Sequence, residues 1–149
     1  MTTRGIDFEA GASWHQALVA AGFAADRPAV VASAGVSMYL TRDANLETLR
    51  QAAALAPGST FVLSFLVPFE LAGADARPGL EQSSPGDRAS STPFINLFEP
   101  GDLLTLAREA GFRDARHVSA SALAQRCFAG RTDGLRPPSS GEELRVAST

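Results

Sequence analysis

The sequence contains no lysine. Its positive charge is thirteen arginines against sixteen acidic residues, a formal net charge of -3. A nucleic-acid-binding face is normally basic, so this balance gives no reason to expect such a partner. The arginine-only usage, alongside abundant alanine, reads as coding bias rather than function. The one cysteine, Cys127, cannot form an internal disulfide, so nothing argues for an oxidising compartment. No apolar run reaches the roughly 18–20 residues of a membrane helix, and the opening MTTRGIDFEAG lacks the apolar stretch of a signal peptide. A cytoplasmic protein without a membrane partner is the expectation. His15 and His117 stand far apart, and Cys127 has no second thiol, so no metal site is expected. A Cys127–His117 nucleophile pair would require the fold to bring the two together. Also absent are the G-x-S-x-G elbow, the P-loop and G-x-G-x-x-G.

What is present is a chain of 149 residues, 45% hydrophobic, enough for one globular domain with a real core. SWHQALVAAGF predicts a helix with Ser13 as N-cap, Trp14, Leu18 and Ala21 on one face, and Gly22 past its end, where Phe23 can fold back. AVVASAGV reads as a strand without polar alternation, as expected for burial on both faces of a parallel sheet. Thr41 caps a second helix with Asp43 in its first turn, Leu46, Leu49 and Ala53 as its apolar stripe, and Pro57-Gly58 beyond it. STFVLSFLV is the next strand, and two such strands joined by a helix predict a βαβ unit.

From about residue 69 to 92 the chain is rich in Gly, Pro, Ser and charge, and reads as a flexible insertion or lid. PFINLFEPGDLLTLAREAGF then holds a helix with Pro100 in its first turn, Leu103, Leu106, Ala107 and Ala110 facing inward, and Gly111 ending it. ARHVSA and ELRVAS are strand candidates, and the stretch between them reads as loop.

Two stretches invite a chemical reading. In GIDFE, Asp7 at the end of a short apolar fragment could accept hydrogen bonds from a ribose or an adenine amino group, or could simply hold a turn. In ASAGVSMYLTRDA, Gly35 to Leu40 sits where a strand passes into a helix, the place where open α/β sheets bind ligands. Val36, Met38 and Leu40 could equally be ordinary core, with Tyr39 sending its hydroxyl to water. The residues alone leave both readings open.

Four segments taken together resemble the leucine carboxyl methyltransferase-like family of S-adenosylmethionine-dependent methyltransferases, in its bacterial branch. They are IDFEAGASWHQALVAAGFAADRPAVVASAGVSMYLTRDA, APGSTFVLSFLVP, PFINLFEPGDLLTLAREAGF and RCFAGRTDGLRPP, in matching order from about Gly5 to Arg145. The resemblance implies an α/β fold: part of the Rossmann-like methyltransferase sheet, with strands 4-5-7-6 of the family order 3-2-1-4-5-7-6, flanking helices, and the first strands missing. Residues 1–149 would be the C-terminal part of such a domain, with its insertion at about 69–92.

By resemblance the cofactor is S-adenosylmethionine. Asp7 and Phe8 match the pair that holds the adenine. Ala34, Gly35 and Val36 would lie under the methionine part, and Met38 and Tyr39 beside the substrate cavity. Many members carry an acidic or aromatic residue just before Gly-Val, where this chain has Ser33 and Ala34. The family's glycine-rich turn and its ribose-binding acidic residue belong upstream of Asp7. The expected function is therefore a methyltransferase, truncated and inactive or weak alone, acting on a small-molecule substrate that the sequence does not identify. No catalytic residue is assigned. The alternative is a non-enzymatic interaction or dimerisation module, self-associating through an exposed fourth strand.

Overall fold

The apolar runs around residues 30 and 60 form strands β1 (Val30–Ser33) and β2 (Thr60–Leu66), which pair in parallel from Val30 opposite Thr60 to Ser33 opposite Leu63. Parallel neighbours need a crossover, supplied here by helix α2 (Arg42–Ala53). Helix α1 (Trp14–Ala20) precedes this unit. Helix α3 (Pro100–Glu109), β3 (Asp114–Val118), the short helix α4 (Ala120–Leu123) and β4 (Glu142–Ser148) follow it. Strand β4 lies antiparallel between β2 and β3, so the sheet order is β1-β2-β4-β3. This is the 4-5-7-6 portion of the expected order, in an α/β fold. The computed structural model describes residues 5–74, 77, 94–135 and 141–149. Most of the expected insertion, and positions 136–138 of the RCFAGRTDGLRPP segment, lie outside the described residues.

The helix ends follow the sequence signals. Ser13 Oγ accepts from the Gln16 N–H at the start of α1. At its far end Gly22 takes φ +96°, a left-handed conformation that suits glycine, and the Phe23 N–H returns to the Leu18 carbonyl. Phe23 thereby meets the His15 ring edge-on at 6.4 Å. Thr41 Oγ1 accepts from the Ala44 N–H to cap α2. Helix α3 opens with Pro100 at a position whose missing N–H costs nothing.

Three expectations need correction. β1 is not buried on both faces: Val30 and Ala32 on one face are exposed, and Val31 and Ser33 on the other are half-buried. The stretch after β3 is not loop, because Ser119 Oγ caps α4 and the helix continues as a π-turn through Ala124–Phe128. Finally, β1 does not run straight into α2, since a 3₁₀ turn at Ser37–Tyr39 intervenes.

Alternate strand residues divide the sheet into two faces. Phe61, Leu63, Phe65 and Ala147 point into a core shared with Trp14, Leu46, Leu49, Ala52, Leu103, Leu106 and Ala107. Rings order it further: Phe61 lies between Trp14 and Phe112, stacked on each at 6.4 Å and 16°. On the other face Val62, Leu144, Val146 and Val118 are half-buried.

The buried face also holds two charged residues of β4. Glu143 bonds His117 Nε2 at 2.6 Å, which pairs this histidine with a carboxylate rather than with Cys127. Arg145, 1% exposed, donates from Nη2 to the Pro100 carbonyl, while its Nε and Nη1 have no partner among the described residues. Burial pushes its pKa below the usual arginine value. Nearby Arg108 acts in the same direction, and Glu143 opposes both.

These positions make opposite demands on a mutant. Leu103→Ala removes a fully buried side chain and should cost about 3 kcal/mol in a urea unfolding experiment. Arg145→Met replaces a desolvated cation of similar volume and should change stability by no more than about 1 kcal/mol in either direction. A loss of Leu103 size in Arg145→Met would show that the guanidinium is a net stabiliser.

Candidate functional site

The junction after β1 must stop pairing, turn and start a helix within a few residues. Gly35 makes the break at φ +68°, where a β-carbon would be strained. Its N–H donates to Ser64 Oγ at 2.8 Å, and Ser37 Oγ donates to the Ser64 carbonyl at 2.7 Å. Ser64 therefore holds the junction against β2 by both its side chain and its backbone. Asn45, 1% exposed, holds it from the other side: Nδ2 reaches the carbonyls of Ser37, Leu40 and Thr41 at 3.0, 3.1 and 3.0 Å.

The segment containing Asp7 and Phe8 is tied to the same place. Glu9 accepts from the Thr41 N–H at 2.6 Å and from Thr41 Oγ1 at 3.0 Å. Asp7 Oδ1 accepts the N–H groups of Glu9 and Ala10, both at 3.1 Å, so that oxygen holds a turn. A ligand contact from Asp7 would have to come through its other oxygen.

Between this segment, α1 and the free edge of β1 lies a groove of about 470 Å3. Phe8, Ala34 and Val36 of the predicted cofactor set line it, joined by Ile6, Trp14, Leu18, Val31 and Phe61. Asp7 and Gly35 are not among its lining residues. The lining is mostly apolar, and the size suits a cofactor or small ligand. Met38 and Tyr39, the predicted substrate residues, lie elsewhere. Met38 is 4% exposed, and its carbonyl accepts from the N–H groups of Ile95 and Asn96. Tyr39 is 40% exposed, with its ring 5.2 Å from that of Phe94. The seven predicted residues thus divide into a groove group, a turn group and a Met38–Tyr39 pair facing residues 94–96.

Sequence reasoning did not single out Asn45, Ser64 or Glu9. Asn45 and Ser64 are polar residues at inward helix and strand positions, which pattern alone cannot distinguish from residues that face solvent, and Glu9 lies in a turn with no periodicity of its own. Trp14 and Val31 were read as core, and both also line the groove. Among the described residues, no group of three or more His, Cys, Asp or Glu side chains could hold a metal ion, and no helix is long and apolar enough to cross a membrane.

A βαβ unit extended by two antiparallel strands, with an apolar groove at the carboxyl end of its edge strand, defines a Rossmann-like methyltransferase sheet. Comparisons with known proteins agree. The family model for leucine carboxyl methyltransferase matches residues 1–53. A DUF574 family protein from Streptomyces avermitilis superposes with TM-score 0.62 at 14% identity, over 97% of this chain and 53% of its own. A "possible exported protein" from Bordetella parapertussis gives 0.57 at 20% identity, over 80% and 38%. SibL, an S-adenosylmethionine-dependent methyltransferase in its apo form, gives 0.50 at 20% identity, over 89% and 38%. At these identities the likeness establishes the fold. The chain spans about two-fifths to one-half of the length of these structures. No curated protein matches it.

The junction's polar ties can be separated by mutation. Asn45→Ala leaves buried carbonyls without their donor and should cost about 2–3 kcal/mol. Asn45→Asp, of the same shape but with a carboxylate against those carbonyls, should cost at least as much. Glu9→Ala breaks exposed bonds and should cost no more than about 1 kcal/mol. Chemical denaturation of the three variants checks this order, and a Glu9→Ala loss equal to that of Asn45→Ala would contradict it.

Proposed function

We propose that this chain carries one wall of an S-adenosylmethionine site in a methyltransferase of the leucine carboxyl methyltransferase-like kind, in its bacterial branch and in a cytoplasmic setting. The observation that carries the reading is the groove at the end of β1, where Phe8 meets Ala34 and Val36 from 26 and 28 residues away in sequence. An apolar recess edged by aromatic rings fits an adenine ring. The groove supplies no carboxylate of its own for the ribose, so the fit covers the adenine and the apolar part of the cofactor.

When bound, S-adenosylmethionine supplies a methyl group on a positively charged sulfur, to be displaced in line by an oxygen, nitrogen or carbon of the acceptor. The contribution of this chain is to bind and orient. Phe8 and Val36 exclude water from the adenine side, and the loop through Gly35 fixes their separation. Tyr39, with Phe94, offers an aromatic wall on the side of the junction facing residues 94–96, where a small acceptor would lie. Such catalysis depends mainly on proximity and alignment, and a groove that fits the adenine and the apolar part of the cofactor without its ribose gives little of either. The isolated chain is accordingly a weak binder with little or no turnover.

Isothermal titration of the chain with S-adenosylmethionine should give a dissociation constant weaker than about 100 μM, equivalent to less than about 5.5 kcal/mol. Phe8→Ala and Val36→Asp should remove even this binding. Micromolar binding by the monomeric chain would sink the claim of weakness. Binding that survives both substitutions would place the ligand outside the groove.

A further inference from the structure

Of the four segments that carry the family resemblance, RCFAGRTDGLRPP contributes no residue to the groove. It lies in the connection from β3 to β4. Because β4 is antiparallel to both β2 and β3, that connection leaves the sheet at the same end as the junction after β1. Within it Arg131 and Asp133 form a forked ion pair: Nε donates to Oδ1 at 3.0 Å, and Nη2 donates to Oδ2. The guanidinium also lies over the Phe128 ring, 5.9 Å from its centroid, and the Arg131 N–H returns to the Phe128 carbonyl. Asp133 Oδ1 accepts a further bond from the Leu135 N–H at 3.2 Å. That bond spans Gly134 and folds the carboxyl back across its peptide group.

Asp133-Gly134 is the one Asp-Gly or Asn-Gly pair in the sequence. A glycine after an aspartate has no side chain to shield its nitrogen from the neighbouring carboxyl. Gly134 is exposed, and no atom of the described residues outside its chain neighbours comes within 4 Å of where a β-carbon would stand. Two contacts therefore act on one carboxyl in opposite senses. The Leu135 bond brings it over the nitrogen, and the arginine keeps it ionised, a form that a nucleophile attacks poorly. The Arg131 bonds, followed by the Leu135 N–H, hold the carboxyl below the usual aspartate range.

We propose that Asp133-Gly134 is a site of succinimide and isoaspartate formation whose rate Arg131 restrains. In ring closure the Gly134 nitrogen gives its proton to solvent, and its electron pair forms a bond to Cγ of the uncharged Asp133 carboxyl. The carboxyl hydroxyl takes up a proton from solvent and leaves as water. A water molecule then adds to one of the two imide carbonyls, the bond from that carbonyl to nitrogen breaks, and the nitrogen regains a proton. Opening at Cγ restores aspartate. Opening at the main-chain carbonyl leaves the chain running through Cβ and Cγ, with one extra methylene in the backbone. The water lost in the first step returns in the second, and nothing is oxidised or reduced. The free carboxyl of the product sits on the former main-chain carbon, so the bonds to Arg131 and to the Leu135 N–H are lost together.

Ageing the full chain at mildly acidic pH and body temperature tests this. Endoproteinase Asp-N cuts before aspartate but not before isoaspartate, so digestion and mass spectrometry read the uncut bond between Thr132 and Asp133. Isoaspartate should accumulate slowly at residue 133 in the wild type. Arg131→Ala should raise its rate about two- to fivefold, the effect of breaking an exposed ion pair. Arg131→Lys keeps the charge without the planar fork and should fall between them. High salt screens an exposed pair and should move the wild type toward the Arg131→Ala rate, a measurement that requires no variant to fold. Asp133→Glu, whose closure needs a larger ring, should give no product at this position. A rate that neither Arg131→Ala nor salt increases overturns the restraint. Absence of isoaspartate at residue 133 from both the wild type and Arg131→Ala overturns the site.

Discussion

The structure depends on how the chain leaves β1. A strand that pairs in parallel must be followed by a crossover, and the crossover begins in a few residues whose backbone groups have left the sheet without yet entering a helix. Unsatisfied, those groups would be costly where they are buried. Ser64 and Asn45 satisfy them from opposite sides. One accepts from Gly35 and receives the Ser37 hydroxyl at its carbonyl, and the other donates to the carbonyls of Ser37, Leu40 and Thr41. Because β2 carries Ser64 and α2 carries Asn45, the junction, the parallel pair and the crossover form one cooperative unit.

The candidate site derives from this unit. Once the junction is fixed, Ala34 and Val36 have fixed positions, and Glu9 brings the preceding segment to them through Thr41. Phe8 then reaches the groove from outside the sheet. The same constraint separates Ala34 and Val36 from Met38 and Tyr39. Gly35 breaks the strand, and the 3₁₀ turn that follows buries Met38 and carries Tyr39 to the side of Phe94. One short turn thus separates the groove side of the junction from the side that meets Phe94.

Polar groups in the rest of the sheet show what a small core tolerates. Glu143 reaches His117, so its burial is compensated, whereas among the described residues Arg145 keeps one bond to a helix carbonyl and two unpartnered nitrogens. Aromatic stacking of Trp14, Phe61 and Phe112 ties α1 and the end of α3 to β2 across the face that α2 also covers.

Local chemistry made much of this legible in advance. The caps at Ser13 and Thr41, the proline opening α3, the stops at Gly22 and Gly111 and the apolar stripes of α2 and α3 each depend on near neighbours in the chain, so sequence by itself determined α1, α2 and α3 and the βαβ order. Burial of β1 was not local: an apolar run looks the same whether one or both faces of its strand are covered, and only the packing of other elements decided that Val30 faces solvent. The helical stretch after β3 was missed because Gln125, Arg126 and Cys127 carry no apolar stripe. The site divided in the same way. Sequence marked Asp7, Phe8 and the run from Ala34 to Tyr39, but tertiary structure set Asp7 in a turn, Phe8 and Val36 in one groove and Met38 in the core. Asn45 and Ser64 gained their importance only when two elements closed on one junction, because a hydrogen bond is defined by where its partner lies and not by the residue that offers it.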